Sequence, residues 1–590
     1  MKKILALLIT LFSLNSFSQA PTIEWANHYV GTEFTQIYSI KEDINNNLLI
    51  AGAFIGTVDF DPGNGVVNLT SQSSQTGQGE SSIFIQKLNQ QGELIWVKQI
   101  NNSDYIDESG DGIALTSDNN GSIYISSLFN DTVDFDPGIG VYNISAVTDT
   151  TNDGIFICKL STDGDFIWVK TSIGITSGGV IQNLNCDNQN NITLTGGAFF
   201  GIIDLDFGPG LNLYQNTNIG GSNFLIKIDN NGNNLYSKIL PFNTALGTTS
   251  DNLDNLFCAG YINDTLNISL TNVNSIIAPL NSNAGIFIKY NDNYQLQWYK
   301  VLNSYNNSNC YIKNIITSLD GSVFVLGGFE GTVDFDPSSL FYNLSSQTDA
   351  AVFIGKYSSN GSLIWVKQIE VGQLNQLELF DFNLKPIQND RVILNFTIQQ
   401  YDNSFIDVDP GAGVVNYNST SDEVFSILLI LDNNGNYSWS KKYTSVGEYM
   451  GIVEMFVNEQ ADIYLSGYFD GIIDFSTNNL TAPIMLSANN LEGFLVKYNL
   501  GNTNSINELN DDEFTLYPNP TNGKLTLKVN DQFNPQLVTI KNSNGQILEK
   551  LTVSKNTSNE FEIEINAENG IYFIAVFDGE NTITKKVIKN

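Results

Sequence analysis

The chain has 590 residues, a net charge of −35, 42% hydrophobic residues, 36 Phe, 25 Tyr, four Cys and a single His. That apolar content builds packed cores and excludes a disordered chain, while the length exceeds one core and requires several domains or a closed repeat. Between residues 19 and 512, 17 basic residues stand against 53 acidic ones, so phosphate backbones are repelled and nucleic acid is excluded as a partner.

Residues 1–18 read as a secretory signal: Lys2 and Lys3 form the charged start, Ile4 to Phe12 the apolar run, and Ser16 and Ser18 the small residues before a cut between Ser18 and Gln19. The run is too short to span a bilayer. No later segment has a long helical apolar period, and the aromatic-rich, Gly- and Asn-punctuated pattern predicts an all-β chain.

The first mature strand, IEWANHYVG at 23–31, carries Trp25 and His28. A Ser-His-Asp triad would have to use His28, which reads as a strand residue with a satisfied hydrogen bond. One His and no CxxC spacing exclude a zinc centre. Cys158, Cys186, Cys258 and Cys310 are buried small hydrophobes or, in an exported chain, members of one or two disulfides.

The run IFIQKLNQQGELIWVK at 83–98 then recurs at 155–170, 224–238, 286–300, 352–367 and, more weakly, 426–441. Each copy is two alternating strands around a Gly- or Asn-rich turn, a β-hairpin. Trp96, Trp168, Trp298, Trp365 and Trp439 hold one position of its second strand, Tyr236 fills the remaining place, and Trp25 precedes the series. The spacings are 71, 72, 68, 62, 67 and 74 residues. Upstream of each hairpin lies a second pair of strands, as in TSDNNGSIYISSLF (116–129), so one repeat supplies four antiparallel strands, A to D, with the aromatic on D. Four-stranded repeats of this length compose a propeller blade or a small sandwich. The ends distinguish the two, because IEWANHYVG is an orphan D strand and the last repeat stops at its C strand, GFLVKYN (493–499). The expectation is a seven-bladed β-propeller over 19–500, its last blade closed by the N-terminal strand. The D-x-x-G-x-I/V-Y/F-V/I pattern resembles the SBBP-type propeller repeats of bacterial exported proteins, which implies a fold more than an activity.

Most repeats insert a short acidic hairpin between B and C: Asp59 and Asp61, Asp134 and Asp136, Asp204 and Asp206, Asp334 and Asp336, Asp407 and Asp409. Alternate strand residues share a side, so each pair presents two carboxylates on one face of the ring. They are candidate calcium ligands; equally, Asp before Pro-Gly is ordinary turn chemistry.

After a polar linker at 501–512 the tryptophan repeat ceases, and 513–590 reads as short alternating strands, a small Ig-like β-sandwich. Tyr517, Pro518, Asn519, Pro520, Gly523, Asn544 to Leu548, Gly570, Ile571, Tyr572, Lys585, Lys586 and Lys589 carry a resemblance to the type A C-terminal sorting domain of type IX (Por) secretion cargo. The resemblance implies recognition by an outer-membrane translocon, removal of the domain by its C-terminal signal peptidase, and release or attachment to surface lipopolysaccharide. Asp131-Thr132-Val133 and Asp264-Thr265-Leu266 resemble the O-glycosylation pattern of bacteria using that route, marking Thr132 and Thr265. The functional expectation is a secreted or cell-surface propeller that binds a glycan or protein, in adhesion, through its acidic hairpin face. Its rivals are a carboxylate-dependent polysaccharide-active enzyme and a structural surface-layer component.

Overall fold

The computed structural model describes residues 20–500 and 514–589 apart from 73–80, 102–111, 147–152, 209, 217–221, 241–243, 264, 268–274, 278–281, 319, 339, 347–349, 372–376, 389, 401–404, 419–422, 448, 478–483, 530–534, 543–546, 554–558, 568 and 578–581. The expected signal segment with Ser18 and Gln19, and the linker, lie outside the described residues. Every regular element among those described is a β-strand, and the chain divides into two compact units, Met1–Leu500 and Gly501–Asn590.

The first unit repeats one antiparallel meander. In strand order A to D, Thr35–Glu42, Leu48–Phe54, Ser82–Leu88 and Leu94–Asn101 form a four-stranded sheet. Its B and C strands are buried at every residue, covered on both faces by neighbouring sheets, which is why they read as continuous apolar runs; the D strand is largely half-buried. Later meanders join through shared strands. Phe166–Cys186 pairs first with Asp153–Leu160 as a D strand, then with Ile192–Asp204 as the next A strand, and Leu296–Thr317 does the same between Ala284–Tyr290 and Val323–Asp334. The last meander, Met450–Val457, Asp462–Asp474 and Met485–Asn499, takes its fourth strand from the N-terminus: Thr22–His28 runs antiparallel to Met485–Asn499, with Thr22 opposite Asn499 and His28 opposite Phe494.

Adjacent sheets share cores. Ile37, Leu48, Ile50 and Phe84 of the first sheet pack in one cluster with Tyr464 and Leu495 of the last, and the Asn458 side chain donates to Glu42 Oε1 at 2.7 Å across the same junction. The repeat tryptophans serve these junctions. Trp25, Trp298 and Trp365 each donate Nε1–H to a carbonyl in the C–D turn of the following repeat, at Gln90, Ser359 and Asn433, over 3.0–3.2 Å. The glycine of that turn lets the ring approach: a methyl group on Gly435 would lie 2.9 Å from Trp365, and one on Gly232 would lie 3.3 Å from Trp168.

The recurring Asp of the A–B turn has a similar logic. Asp43 Oδ1 accepts the amides of Asn45 and Asn47, and its other oxygen pairs with Lys87 of strand C at 2.7 Å. Burial raises the Asp43 pKa, but Lys87, the Asn47 side chain and those amides outweigh it and hold the carboxyl below its ordinary range. Asp187 with Lys227 at 2.8 Å repeats the arrangement, whereas in the last repeat Asn458 takes the turn position, its Oδ1 accepting the Asp462 amide at 2.8 Å, and Asp462 pairs with Lys497 at 2.9 Å.

The second unit packs Phe514–Tyr517, Lys524–Val529 and Glu560–Glu564 as one sheet against a second of Ile547–Thr552, Leu537–Asn542, Gly570–Phe577 and Thr582–Lys589. Leu527, Ile540, Ile574 and Val587 are fully buried between them.

Candidate ligand-binding site

The acidic hairpins are built alike. Asp59 Oδ1 accepts the amides of Asp61 at 3.0 Å and Val67 at 2.9 Å, tying both arms of the turn, and Asp61 Oδ1 accepts the Gly63 amide at 2.8 Å. Asp134 and Asp136 take the amides of Asp136, Tyr142 and Gly138 in the same way. Asp204 with Asp206, Asp334 with Asp336, and Asp407 with Asp409 reproduce the clamp. Gly65, Gly140, Gly210 and Gly413 are small because the second Asp of each pair leans over them: a methyl group there would meet its Oδ2 at 2.1–2.2 Å. Each pair thus spends one oxygen of both carboxylates on its own turn. Among the described residues no group of three or more His, Cys, Asp or Glu side chains is gathered as for a metal ion.

A cavity of about 580 Å³ lies elsewhere, toward the A–B turns, at the opposite end of strand B from the acidic hairpins. Its wall takes one residue from each A strand at a common level: Ser39, Ala114, Asn183, Gly247, Asn314, Asn383 and Glu454. Six of these strands carry a β-bulge just before that residue, which turns its side chain out of the sheet alternation. The amides also stitch neighbours together. Asn183 Nδ2 donates to Thr248 O at 2.9 Å, Asn314 Nδ2 to Phe382 O at 3.0 Å, and Asn383 Nδ2 to Val453 O at 2.9 Å. Two residues further along, Lys41, Asn185, Thr249, Ile316 and Lys385 continue the wall. Burial, with the nearby Lys385 charge, pushes the Lys41 pKa down to about 8, while Glu454 pulls it back up.

Tyr294 also lines the cavity and breaks a rule of the repeat. Its equivalents in the C–D turns are Gly92, Gly164, Gly232, Gly361 and Gly435, all with φ between +74° and +81°, and Tyr294 holds φ +57°. A bulky side chain is strained there, by about 1–3 kcal/mol. The ring stacks on Tyr236, the one occupant of the repeat's tryptophan position that is not tryptophan, with centroids 4.6 Å apart and planes at 9°. Its hydroxyl lies 3.3 Å from Thr193 Oγ1. The sequence carries this signal openly, as KYNDNYQL where every other clear copy has Gly.

Of the remaining residues singled out by sequence, His28 makes a side-chain pair with Glu492, Thr132 is exposed with its hydroxyl 2.7 Å from Ser145 Oγ, and Thr265 starts the strand Thr265–Asn267. The cysteines are all unpaired thiols, three of them buried. In the second unit the two ends of the sorting motif meet. The Ile588 amide donates to Asn519 Oδ1 at 2.9 Å and the Thr521 amide to Ile588 O at 2.8 Å. Lys589 Nζ reaches Ile565 O at 3.0 Å and Ala567 O at 2.6 Å, passing over Gly523, whose φ is +114°. Lys585 Nζ sits 5.3 Å from the centre of the Phe514 ring, and Tyr572 is buried in the core. Tyr517-Pro518 and Asn519-Pro520 are both cis.

Residues 515–590 match the model of the secretion system C-terminal sorting domain. A curated relative, the uncharacterized WD repeat-containing protein L264 of Acanthamoeba polyphaga mimivirus, is 23% identical over 528 residues, 81% of this chain and 33% of the relative, so the chain spans one third of that protein's length. Among solved structures, the Dos1 propeller is similar at a TM-score of 0.37 and 8% identity, over 82% of this chain and 95% of that one. The polysaccharide lyase Uly1 is similar at 0.32 and 8%, over 81% of this chain and 100% of that one. By class, the first unit is an all-β repeat of antiparallel meanders. The chain's tail is a secretion system C-terminal sorting domain, which marks the chain as type IX cargo delivered to the cell surface or the extracellular space.

Proposed function

We propose that the first unit is a closed ring of seven blades and that the protein is a surface-delivered glycan-binding module whose ligand enters the axial cavity. The observation that carries this reading is the cavity wall itself, to which all seven A strands contribute a residue at one level. Strands separated by hundreds of residues line one cavity when they surround a common axis, and the pairing of Thr22–His28 with Met485–Asn499 supports closure of the last blade. The lining is rich in amides and hydroxyls, from Asn183, Asn185, Thr193, Thr249 and Asn314, with Tyr294 adding an aromatic edge and a hydroxyl. That mixture suits a polyhydroxylated ligand, and the volume falls within the usual range for small-molecule sites. The acidic hairpins, spent on their own turns, act as clamps that stiffen the opposite face.

Binding rather than turnover is favoured by the state of the cavity's acids. Of its four acids among the described residues, Asp187, Asp251 and Glu454 each face a lysine, at 2.8, 3.4 and 3.7 Å, and Asp254 accepts from the Asn188 side chain at 3.4 Å. The sorting unit docks on the type IX machinery; we extend this to cleavage by its C-terminal signal peptidase within 501–512 and to release or lipopolysaccharide attachment of the remainder.

A glycan array probed with the full chain tests the central claim. Binding without release of reducing ends is expected, and Tyr294→Gly, which restores the turn's usual residue, should abolish it while leaving the fold intact. Undiminished binding by that variant would place the ligand elsewhere.

A further inference from the structure

Building on the glycan-binding reading, we propose that the cavity wall formed by the first repeat and the last two is an anion subsite, in which Lys41 and Lys385 hold the carboxylate or sulfate group of an acidic sugar. Lys41 lies in Thr35–Glu42 and Lys385 in Leu377–Ile387, each two residues beyond the level of Ser39 and Asn383. These strands flank Met450–Val457, which supplies Glu454 to the same wall. Lys385 Nζ is 3.7 Å from Glu454 Oε1, and Lys41 has no hydrogen-bond or ion-pair partner among the described residues. Two ammonium groups against one carboxylate leave this wall net positive, inside a unit that is otherwise strongly acidic.

The opposite wall is unsuited to an anion, with three carboxylates against two lysines. Asp187 is paired with Lys227 and Asp251 with Lys289, while Asp254 accepts from the Asn188 side chain at 3.4 Å. The cavity is concave and lined by hydroxyls and amides, which favours a charged sugar over an acidic protein surface. Burial and Lys385 already lower the Lys41 pKa, so a bound anion would draw a proton onto it, and affinity should fall as pH rises above about 8.

Titration calorimetry of the full chain with trigalacturonate, its methyl ester and a sulfated galactan trisaccharide tests this. At least one of the two anionic sugars should bind, and which one does assigns the anion as carboxylate or sulfate. The methyl ester should bind at least about tenfold more weakly than trigalacturonate if that is the ligand. Lys41→Met and Lys385→Met should each weaken binding of the anionic sugar by about tenfold or more, and Lys41→Arg should retain it. The melting curve of each variant checks that the fold survives. If the ester binds as well as the acid, or if Lys41→Met leaves every affinity unchanged, the anion subsite is overturned while glycan binding stands. If hexaglutamate binds and no sugar does, both the subsite and the glycan reading fall.

Discussion

His28 Nδ1 lies 2.9 Å from Glu492 Oε2, joining the N-terminal strand to the last C strand by a pair whose acid is only 3% exposed. The chain's single histidine is thereby committed to the seam between the first and last strands of the first unit, not to a cavity. His28→Leu would strand the Glu492 carboxylate beneath the strand at a cost of about 1–3 kcal/mol. His28→Gln, which keeps a donor, should cost less. Urea unfolding of the full chain reads both, and equal stability of the two variants would show that packing, not the pair, holds the seam.

The hairpin clamps predict a specific pattern of tolerance. Asp59→Ala frees the amides of Asp61 and Val67 and should lower stability by about 1 kcal/mol, whereas Asp59→Asn keeps the acceptor and should cost much less. With one oxygen of each carboxylate spent on its own turn and no third acid gathered beside the pair among the described residues, excess chelator should leave the melting temperature unchanged. A chelator-dependent fall that Asp59→Asn also produces would assign calcium to these hairpins.

The parts of this molecule written in local pattern were legible from sequence. Trp96 and Trp365 repeat because each sheet needs one large ring against the next turn, and Gly164 and Gly435 repeat because the turn takes a positive φ and the ring with its neighbouring lysine stem leaves no room for a side chain. The cavity was not legible, and the acidic hairpin face drew attention instead. Ser39, Asn183, Gly247 and Glu454 share no chemistry, and they reach one level only because a bulge shifts the register of the strand before them. Alternation of apolar and polar residues does not announce such a bulge. Tyr294 was readable, as the one aromatic in a glycine's place, once the glycine's reason was known.

The junction between repeats should show strong coupling. Gly435→Ala forces a side chain into a backbone at φ +74° with its methyl 2.9 Å from Trp365, for a loss of about 1–3 kcal/mol. Trp365→Ala should cost about 2–4 kcal/mol. Because removing the ring relieves the clash, the double variant should be more stable than the two losses added together. Additive losses would mean that Gly435 answers to its backbone conformation or to the Lys367 stem, which lies at the same 2.9 Å, and not to the ring.

Asp381 carries the clearest pH dependence. It sits in the bulged A strand at φ +53°, and its Oδ2 has no hydrogen-bond partner. Burial pushes its pKa from an ordinary 3.8 up to about 7, against the pull of a hydrogen bond from Thr397. A carboxyl whose folded value lies above its unfolded value favours the fold while protonated, so its contribution is complete below about pH 4 and is lost as pH rises through about 7. Asn tolerates the same left-handed backbone and stays neutral. Asp381→Asn should therefore stabilise the protein by about 1–3 kcal/mol at about pH 8 and have little effect near pH 4. Unfolding curves of the two proteins across that range should converge toward acid, and a constant separation would show that Asp381 ionises without cost in the fold.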